Sequence, residues 1–135
     1  MNRDEMRNRT KQFALRIIRL STAVPKTREG NVLGHQILKS GTSVGANYRE
    51  AQRASAPRHF VTILETALRE ADETDYWLEL LSDSETVKAS RLGDLVKECR
   101  ELIAILSATV RTSKIRVAKT ASRSGTKSQI PNPQS

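Results

Sequence analysis

The chain has few residues whose type and spacing suggest chemistry, and the first group is rich in glycine. The segment GTSVG at residues 41–45 resembles a phosphate-binding loop, but it lacks the Gly-Lys-Ser/Thr ending and a preceding strand. Apolar residues surround it at steps of three and four, which is a helical period. A glycine costs a helix roughly 1 kcal/mol against alanine. We therefore interpret Gly34, Gly41 and Gly45 as close-packing positions of a helix.

Carboxylates form the second group. Glu50, Glu70 and Glu73 could line a metal site inside a helical bundle, but such sites also use a Glu-x-x-His pair, and no histidine has that spacing. His35 and His59 are isolated at the beginnings of predicted helices. No motif supports a serine nucleophile with a histidine base. We predict no catalytic residue, no metal and no cofactor.

The same carboxylates have a second interpretation as a structural polar network. Asn47 and Glu50 lie one turn apart beside an apolar stripe, at the edge of the predicted core. Buried polar groups need partners. Asn47, Glu50, Glu70 and Glu73 would then satisfy one another or pair with an arginine.

Charge gives the strongest indication of a partner. The 135 residues include 23 Lys or Arg and 15 Asp or Glu, so the formal net charge is +8. A basic balance favours polyanions, with nucleic acid first and an anionic membrane surface second; a soluble protein with a basic tail is the third interpretation. We expect nucleic acid, with RNA favoured over DNA and no membrane partner. The candidate contacts are Arg7, Lys11, Arg19, Arg49, Arg53, Lys114, Arg116, Lys119, Arg123 and Lys127.

Four amphipathic helices would have to position these residues. Apolar periodicity and the breaks at Pro25 and Pro57 predict helices over residues 4–23, 32–54, 57–81 and 90–112. Asn31 is the predicted N-cap of the second helix. Short loops between such helices imply an all-α, antiparallel, up-down-up-down four-helix bundle at residues 1–112. Aromatic residues make up 4% of the chain, so the core is predicted to be aliphatic.

The end of the chain differs in composition. Residues 113–135 carry five basic groups and no acidic group among mostly small polar residues. Such a segment buries too little apolar surface to offset its ordering entropy, so we predict a disordered basic tail.

The chain has one cysteine, Cys99, so it cannot form an internal disulfide. Cys99 lies at an apolar helical position, which is typical of a core residue.

The first residues lack the apolar segment of a secretory signal. No apolar run approaches the ~20 residues that a membrane-spanning helix needs. We expect a cytoplasmic protein.

The third helix is apolar on more than one face. Tyr76, Trp77 and Leu80 lie off its main stripe. These residues cover a wide bundle core or meet another subunit, and the subunit interface is favoured because aromatic residues anchor interfaces.

Two segments carry a resemblance to a known family. NVLGHQILKSGTSVGANYREAQRAS at residues 31–55 and ETDYWLELL at residues 73–81 resemble the bacterial four-helix-bundle family named after proteins encoded in intervening sequences of 23S ribosomal RNA genes. The resemblance covers residues 10–110 and implies a four-helix bundle, commonly a homopentamer. It also implies a distant similarity to accessory proteins of diversity-generating retroelements, which engage nucleic acid and a reverse transcriptase. The family has no established catalytic residues.

Two classes of function remain open. The first is a non-enzymatic nucleic-acid-binding or ribonucleoprotein accessory module that acts as a homo-oligomer. The second is a structural scaffold that binds a protein partner, such as a reverse transcriptase, without nucleic acid. An enzyme is the least supported class.

Overall fold

The computed structural model describes the backbone of residues 1–128 and the side chains of residues 1–123. Its helices are α1 (Arg3–Ala23), α2 (Arg28–Gln52), α3 (Pro57–Asp83) and α4 (Gly93–Ser128). One turn of 3₁₀ helix at Ala89–Arg91 precedes α4, and residues 1–128 contain no strand. The predicted all-α, four-helix class is confirmed. Within these same residues, no helix is long and apolar enough to cross a membrane.

The start of α2 lies four residues before the predicted one. Thr27, not Asn31, is the N-cap, and its side chain accepts a hydrogen bond from the Gly30 amide at 3.0 Å. A Cβ at Gly30 would overlap the carbonyl oxygen of Pro25, so this turn needs a residue without a side chain. The sequence predicts that the helix starts after Asn31, because asparagine is also a favourable N-cap residue and Asn31 directly precedes the apolar stripe.

Contacts between successive helices show that neighbours run in opposite directions. On α1 and α2, Gly45 faces Thr10 and Gly41 faces Ile17, so residue numbers rise on one helix as they fall on the other. Thr74 of α3 donates a hydrogen bond to Ser40 of α2 at 2.8 Å. An aliphatic core fills the space between the helices. Its fully buried large residues include Phe13, Ile17, Ile37, Leu64, Leu78, Leu81, Leu92, Leu102 and Leu106.

The bundle closes between α1 and α4. Arg9 of α1 makes a two-pronged ion pair with Glu98, at 2.7 and 2.8 Å, and a further bond to Glu101 at 2.8 Å. These bonds raise the pKa of Arg9 far above its ordinary value. A paired, half-buried arginine with two parallel bonds fixes the register of the two helices.

The fourth helix is much longer than predicted, since it continues through residues 113–128 instead of ending at Thr112. Ser113, Val117 and Ala121 are half-buried and extend the stripe of Val110 at helical spacing. The Lys114 ammonium also lies 2.8 Å from a Glu65 carboxylate oxygen on α3. The composition predicted disorder because this small-residue stripe is weakly apolar. Residues 129–135, the remainder of the predicted tail, lie outside the described residues.

Candidate nucleic-acid interface

Antiparallel packing gathers the positive charge at one end of the bundle. There the starts of α1 and α3 meet the end of α2 and the last turns of α4. The segments 1–10, 47–60 and 107–128, which form this basic end, contain twelve Lys or Arg and three Asp or Glu. The rest of the chain contains eleven Lys or Arg and twelve Asp or Glu. The excess of positive charge therefore lies at the basic end and nowhere else.

A cavity of about 590 Å³ opens at the basic end, and residues from all four helices line it. Its apolar surface includes Met6, Phe60, Ile105 and Val117. Its polar surface includes Arg3, Gln52, Thr109, Arg116 and the Tyr48 side chain. Burial raises the pKa of the Tyr48 phenol, while the positive charge of Arg3 lowers it. Arg3 is thus near enough to this hydroxyl to act on it electrostatically.

Most of the predicted nucleic-acid contacts belong to the basic end, and one of them, Arg116, lines the cavity. Arg7, Arg49, Arg53, Arg116, Lys119 and Arg123 belong to the three segments of the basic end, and all six are exposed. Lys114 also lies there, but its ammonium is paired with Glu65. The side chain of Lys127 lies outside the described residues.

Two predicted contacts lie elsewhere on α1. Lys11 is near the middle of the helix, and Arg19 is in its last two turns, about 24 Å from Arg3 along the axis. The structure does not bring Arg19 to the basic end. Helical periodicity gives the face of a residue and not the end of the bundle that it reaches, so sequence reasoning grouped Arg19 with the others.

The three glycines of α2 differ in how closely the neighbouring helix approaches. A Cβ at Gly41 would lie 2.7 and 2.8 Å from the two γ-carbons of Ile17. A Cβ at Gly45 would lie 3.2 Å from Thr10 Oγ1, which is tight but close to contact. At Gly34 the nearest atoms, on Val24, are 3.9 Å away, which leaves room for a methyl group. Close approach therefore requires a glycine at Gly41 and not at Gly34.

The predicted polar network is not formed, and this is a correction. Asn47 donates to the Ser43 carbonyl of its own helix, and Glu50 is exposed. Among residues 1–123, no hydrogen bond or ion pair joins either of them to Glu70 or Glu73. Asn47 and Glu50 lie at the basic end, whereas Glu70 and Glu73 lie further along α3, so the antiparallel register separates the two pairs.

Glu70 and Glu73 are neighbours on α3. Burial raises the pKa of Glu70, as do the charge of Glu73 and the hydrogen bond that protonated Glu70 donates to the Glu73 carboxylate, against the opposing charges of Lys39 and Arg69. The described part of the chain holds no group of three or more His, Cys, Asp or Glu able to bind a metal ion. The buried polar contact between α2 and α3 is Ser40 with Thr74, which the apolar pattern did not single out.

The residues predicted as a subunit interface lie toward the other end of α3. Tyr76 is 53% exposed, and its ring meets that of Trp77 edge to face with centroids 5.1 Å apart. Trp77 itself packs against the core of its own chain. Leu80 is half-buried and lines a shallow groove with Val32, an α2 residue that is 56% exposed.

Sequence reasoning missed three residues of the cavity, Arg3, Tyr48 and Phe60. Tyr48 and Phe60 occupy apolar positions of predicted helices. Such positions predict burial, but they do not predict what the Tyr48 hydroxyl or the Phe60 ring faces. Arg3 lies at the start of α1, and the sequence does not show which other helix ends this part of α1 meets. The clue available in the sequence was that two of its five aromatic residues flank the basic α2–α3 connection.

The fold and its charge distribution define a small four-helix-bundle protein with one basic end. The family of 23S rRNA-intervening sequence proteins matches residues 3–108, and the chain belongs to this family. The family resemblance predicted from residues 31–55 and 73–81 is confirmed. The match ends before the last turns of α4, whose five cations from Lys114 to Lys127 lie outside it.

One solved structure that is similar to the chain comes from Bacteroides thetaiotaomicron. It is described as a protein of unknown function from the S23 ribosomal protein family. It is 34% identical in sequence, with a TM-score of 0.77, and the match covers 82% of this chain and 99% of that chain. No curated protein matches the chain. Neither description names an enzymatic activity.

Proposed function

We propose that this protein is a non-enzymatic RNA-binding accessory module that acts in the cytoplasm as a homo-oligomer. The observation that carries the proposal is the basic end, where twelve Lys or Arg stand against three Asp or Glu. Six of the exposed cations there come from three different helices, so they form a surface and not a single stripe. Such a surface recognises a phosphate backbone.

The mechanism of binding would be counterion release. Each phosphate neutralised by a Lys or Arg releases condensed cations, which makes the affinity fall steeply with salt. Arg49, in the last turn of α2, and Arg53, the C-cap of that helix, lie four residues apart and would provide a pair of contacts. The last turns of α4 extend the charged surface with Lys119 and Arg123. Phosphate contacts of this kind position an RNA but carry little sequence information.

A salt series with charge-matched variants tests this proposal. The first variant combines Arg49→Gln with Arg53→Gln at the basic end. The second combines Lys88→Gln with Arg91→Gln, which are exposed and lie at the opposite end. Loss of two phosphate contacts should make the slope of log affinity against log salt shallower by about 1.4–1.8 in the first variant only. Equal slopes in both variants, or no retardation of RNA or DNA at low salt, would contradict the proposal.

Self-association would rest on the exposed apolar residues at the opposite end. Val32 and Tyr76 are each more than half exposed. Val32 and Leu80 line the shallow groove between α2 and α3, whose volume is about 700 Å³. Light scattering at micromolar concentration tests this part, and a monomer would refute it. The homopentamer implied by the family resemblance stays a prediction. In a symmetric ring, repetition of the basic end would strengthen weak contacts through avidity.

A scaffold that binds a protein is the second candidate. Residues 59–86 contain eight Asp or Glu and one Arg, and several of these acids are exposed on α3. This acidic surface suits a basic protein partner, and a reverse transcriptase stays a prediction. If the protein retains no nucleic acid at low salt, the scaffold becomes the favoured function.

A further inference from the structure

We propose that the cavity at the basic end binds one unpaired nucleotide of the RNA, with the base inside the cavity and its flanking phosphates on Arg3 and Arg116. This inference rests on the proposed function and specifies which part of the RNA the site recognises. A protein that used the basic end alone would bind phosphates of single and double strands alike.

The first observation is the Tyr48 side chain. It is 8% exposed, so more than nine-tenths of it is buried, and it lines the cavity. Its hydroxyl makes no hydrogen bond within residues 1–123, and because no buried side-chain nitrogen or oxygen there lacks a partner, the hydroxyl is the part of Tyr48 that remains accessible from the cavity. A tyrosine of this kind has an apolar body and a polar tip that is open to a hydrogen-bond partner. A ligand in the cavity with a nitrogen or oxygen at its edge would supply one.

The second observation is the shape and lining of the cavity. Its volume of about 590 Å³ lies within the range of ~300–1,000 Å³ found for small-molecule sites. Phe60, Ile105 and Val117 give it apolar walls, and two of the five aromatic residues of the chain line it. Bases of single-stranded RNA stack on such rings.

The third observation is the charge and hydrogen-bonding character of the lining. Arg3 and Arg116 come from the neighbouring helices α1 and α4, and none of the residues that line the cavity is Asp or Glu. Gln52 and Thr120 add side-chain donors and acceptors, and Thr109, whose hydroxyl donates to the Ile105 carbonyl, adds an acceptor. An alkyl chain offers none of these groups a hydrogen bond, whereas a nucleotide offers both base edges and phosphates. The lining therefore favours a nucleotide over a lipid.

The proposal predicts a preference for unpaired RNA. A base in a duplex is stacked and paired, and it cannot enter the cavity without an unstacking cost. A single strand can place one base against Phe60 and Tyr48 while neighbouring phosphates remain on the surrounding cations. A blunt duplex would bind through its phosphates only.

The experiment compares two RNAs by fluorescence: a single strand that contains 2-aminopurine and a blunt duplex with the same number of phosphates. Tyr48→Phe removes the hydroxyl but keeps the ring, so the fold is retained. The variant should bind the single strand about 2–10-fold more weakly and the duplex as before. Phe60→Leu should weaken single-strand binding by about 5–100-fold and lower the change in 2-aminopurine emission. Ser90→Ala, which removes an exposed hydroxyl at the opposite end of the bundle, is the control and should change neither affinity.

The outcomes separate this inference from the proposed function. If both RNAs bind and Tyr48→Phe and Phe60→Leu affect them equally or not at all, the nucleotide site is refuted and the basic surface stands. If neither RNA binds the unmodified protein at low salt, the proposed function fails, and the nucleotide site fails with it. A Phe60→Leu protein that melts like the unmodified one and loses only the single strand supports the site.

Discussion

Replacing single glycines of α2 by alanine tests how closely α1 and α2 must approach. Gly41→Ala would place a Cβ 2.7 and 2.8 Å from the two γ-carbons of Ile17. Non-bonded carbons prefer about 3.5–4.0 Å, so one helix must move by roughly an ångström. Ile17 cannot yield easily, because it is fully buried and its branched side chain has one strongly preferred rotamer in a helix.

The magnitude follows from comparison with Gly34, whose Cβ would meet Val24 at 3.9 Å. Both substitutions gain about 1 kcal/mol of helix propensity. Only Gly41→Ala adds the cost of overpacking, which is about 1–3 kcal/mol. Gly34→Ala should therefore stabilise the protein by about 1 kcal/mol, and Gly41→Ala should be about 1–3 kcal/mol less stable than Gly34→Ala. Gly45→Ala should fall between them.

Urea unfolding followed by circular dichroism, at one protein concentration, measures these differences. Ile17→Ala provides a control background, because it removes both γ-carbons that a new Cβ would meet. The Cβ of residue 17 remains at 3.1 Å in that background, so Gly41→Ala should cost much less there and recover part of the propensity gain, and the two substitutions should be coupled. If Gly41→Ala stabilises the unmodified protein as much as Gly34→Ala does, the close approach of α1 and α2 is refuted.

Three further predictions concern single groups. Gly30→Ala should destabilise the protein by more than its propensity gain, because the new Cβ would overlap the Pro25 carbonyl; a raised melting temperature would contradict this. The raised pKa of Glu70 means that ionisation costs stability in the folded state. Glu70→Gln should therefore stabilise the protein at pH 7 and lose that advantage as the pH falls through the raised pKa of Glu70 to the ordinary glutamate value, and a gain independent of pH would refute this origin. Burial raises the pKa of Cys99 to about 12. At pH 8 the native thiol should react with a disulfide reagent at least about a thousandfold more slowly than in urea, and equal rates would show that it is accessible.

Helical periodicity predicted the fold because each helix carries one continuous apolar stripe. Phe13 and Ile17 of α1 lie at helical spacing and are buried, and so are Ile37 and Val44 of α2. The prediction was weaker where the apolar signal fades. Beyond Val110 the stripe continues with Ser113, Val117 and Ala121, whose small side chains looked like those of a disordered segment.

The candidate site was predicted less completely than the fold. Charge predicted a polyanion partner, which stays a prediction, and the exposed positions of most cations on the candidate surface need no register between helices to be recognised. The cavity depends on which helix ends meet, and residues such as Arg3, Tyr48 and Arg116 are far apart in the chain. The same limitation explains the wrong network of Asn47 with Glu70: spacing fixes neighbours within one helix and leaves the register between helices open.

Amide hydrogen exchange of the full-length protein, with and without a single-stranded RNA at low salt, locates the RNA contact on the bundle. We expect slower exchange in segments 1–10, 47–60 and 107–128 when RNA is bound, with the largest change around Tyr48 and Phe60. Exchange at Ala89–Arg91 and around Tyr76 should be unchanged by RNA. Protection centred on Tyr76 and Leu80, or no protection at the basic end, would contradict this expectation.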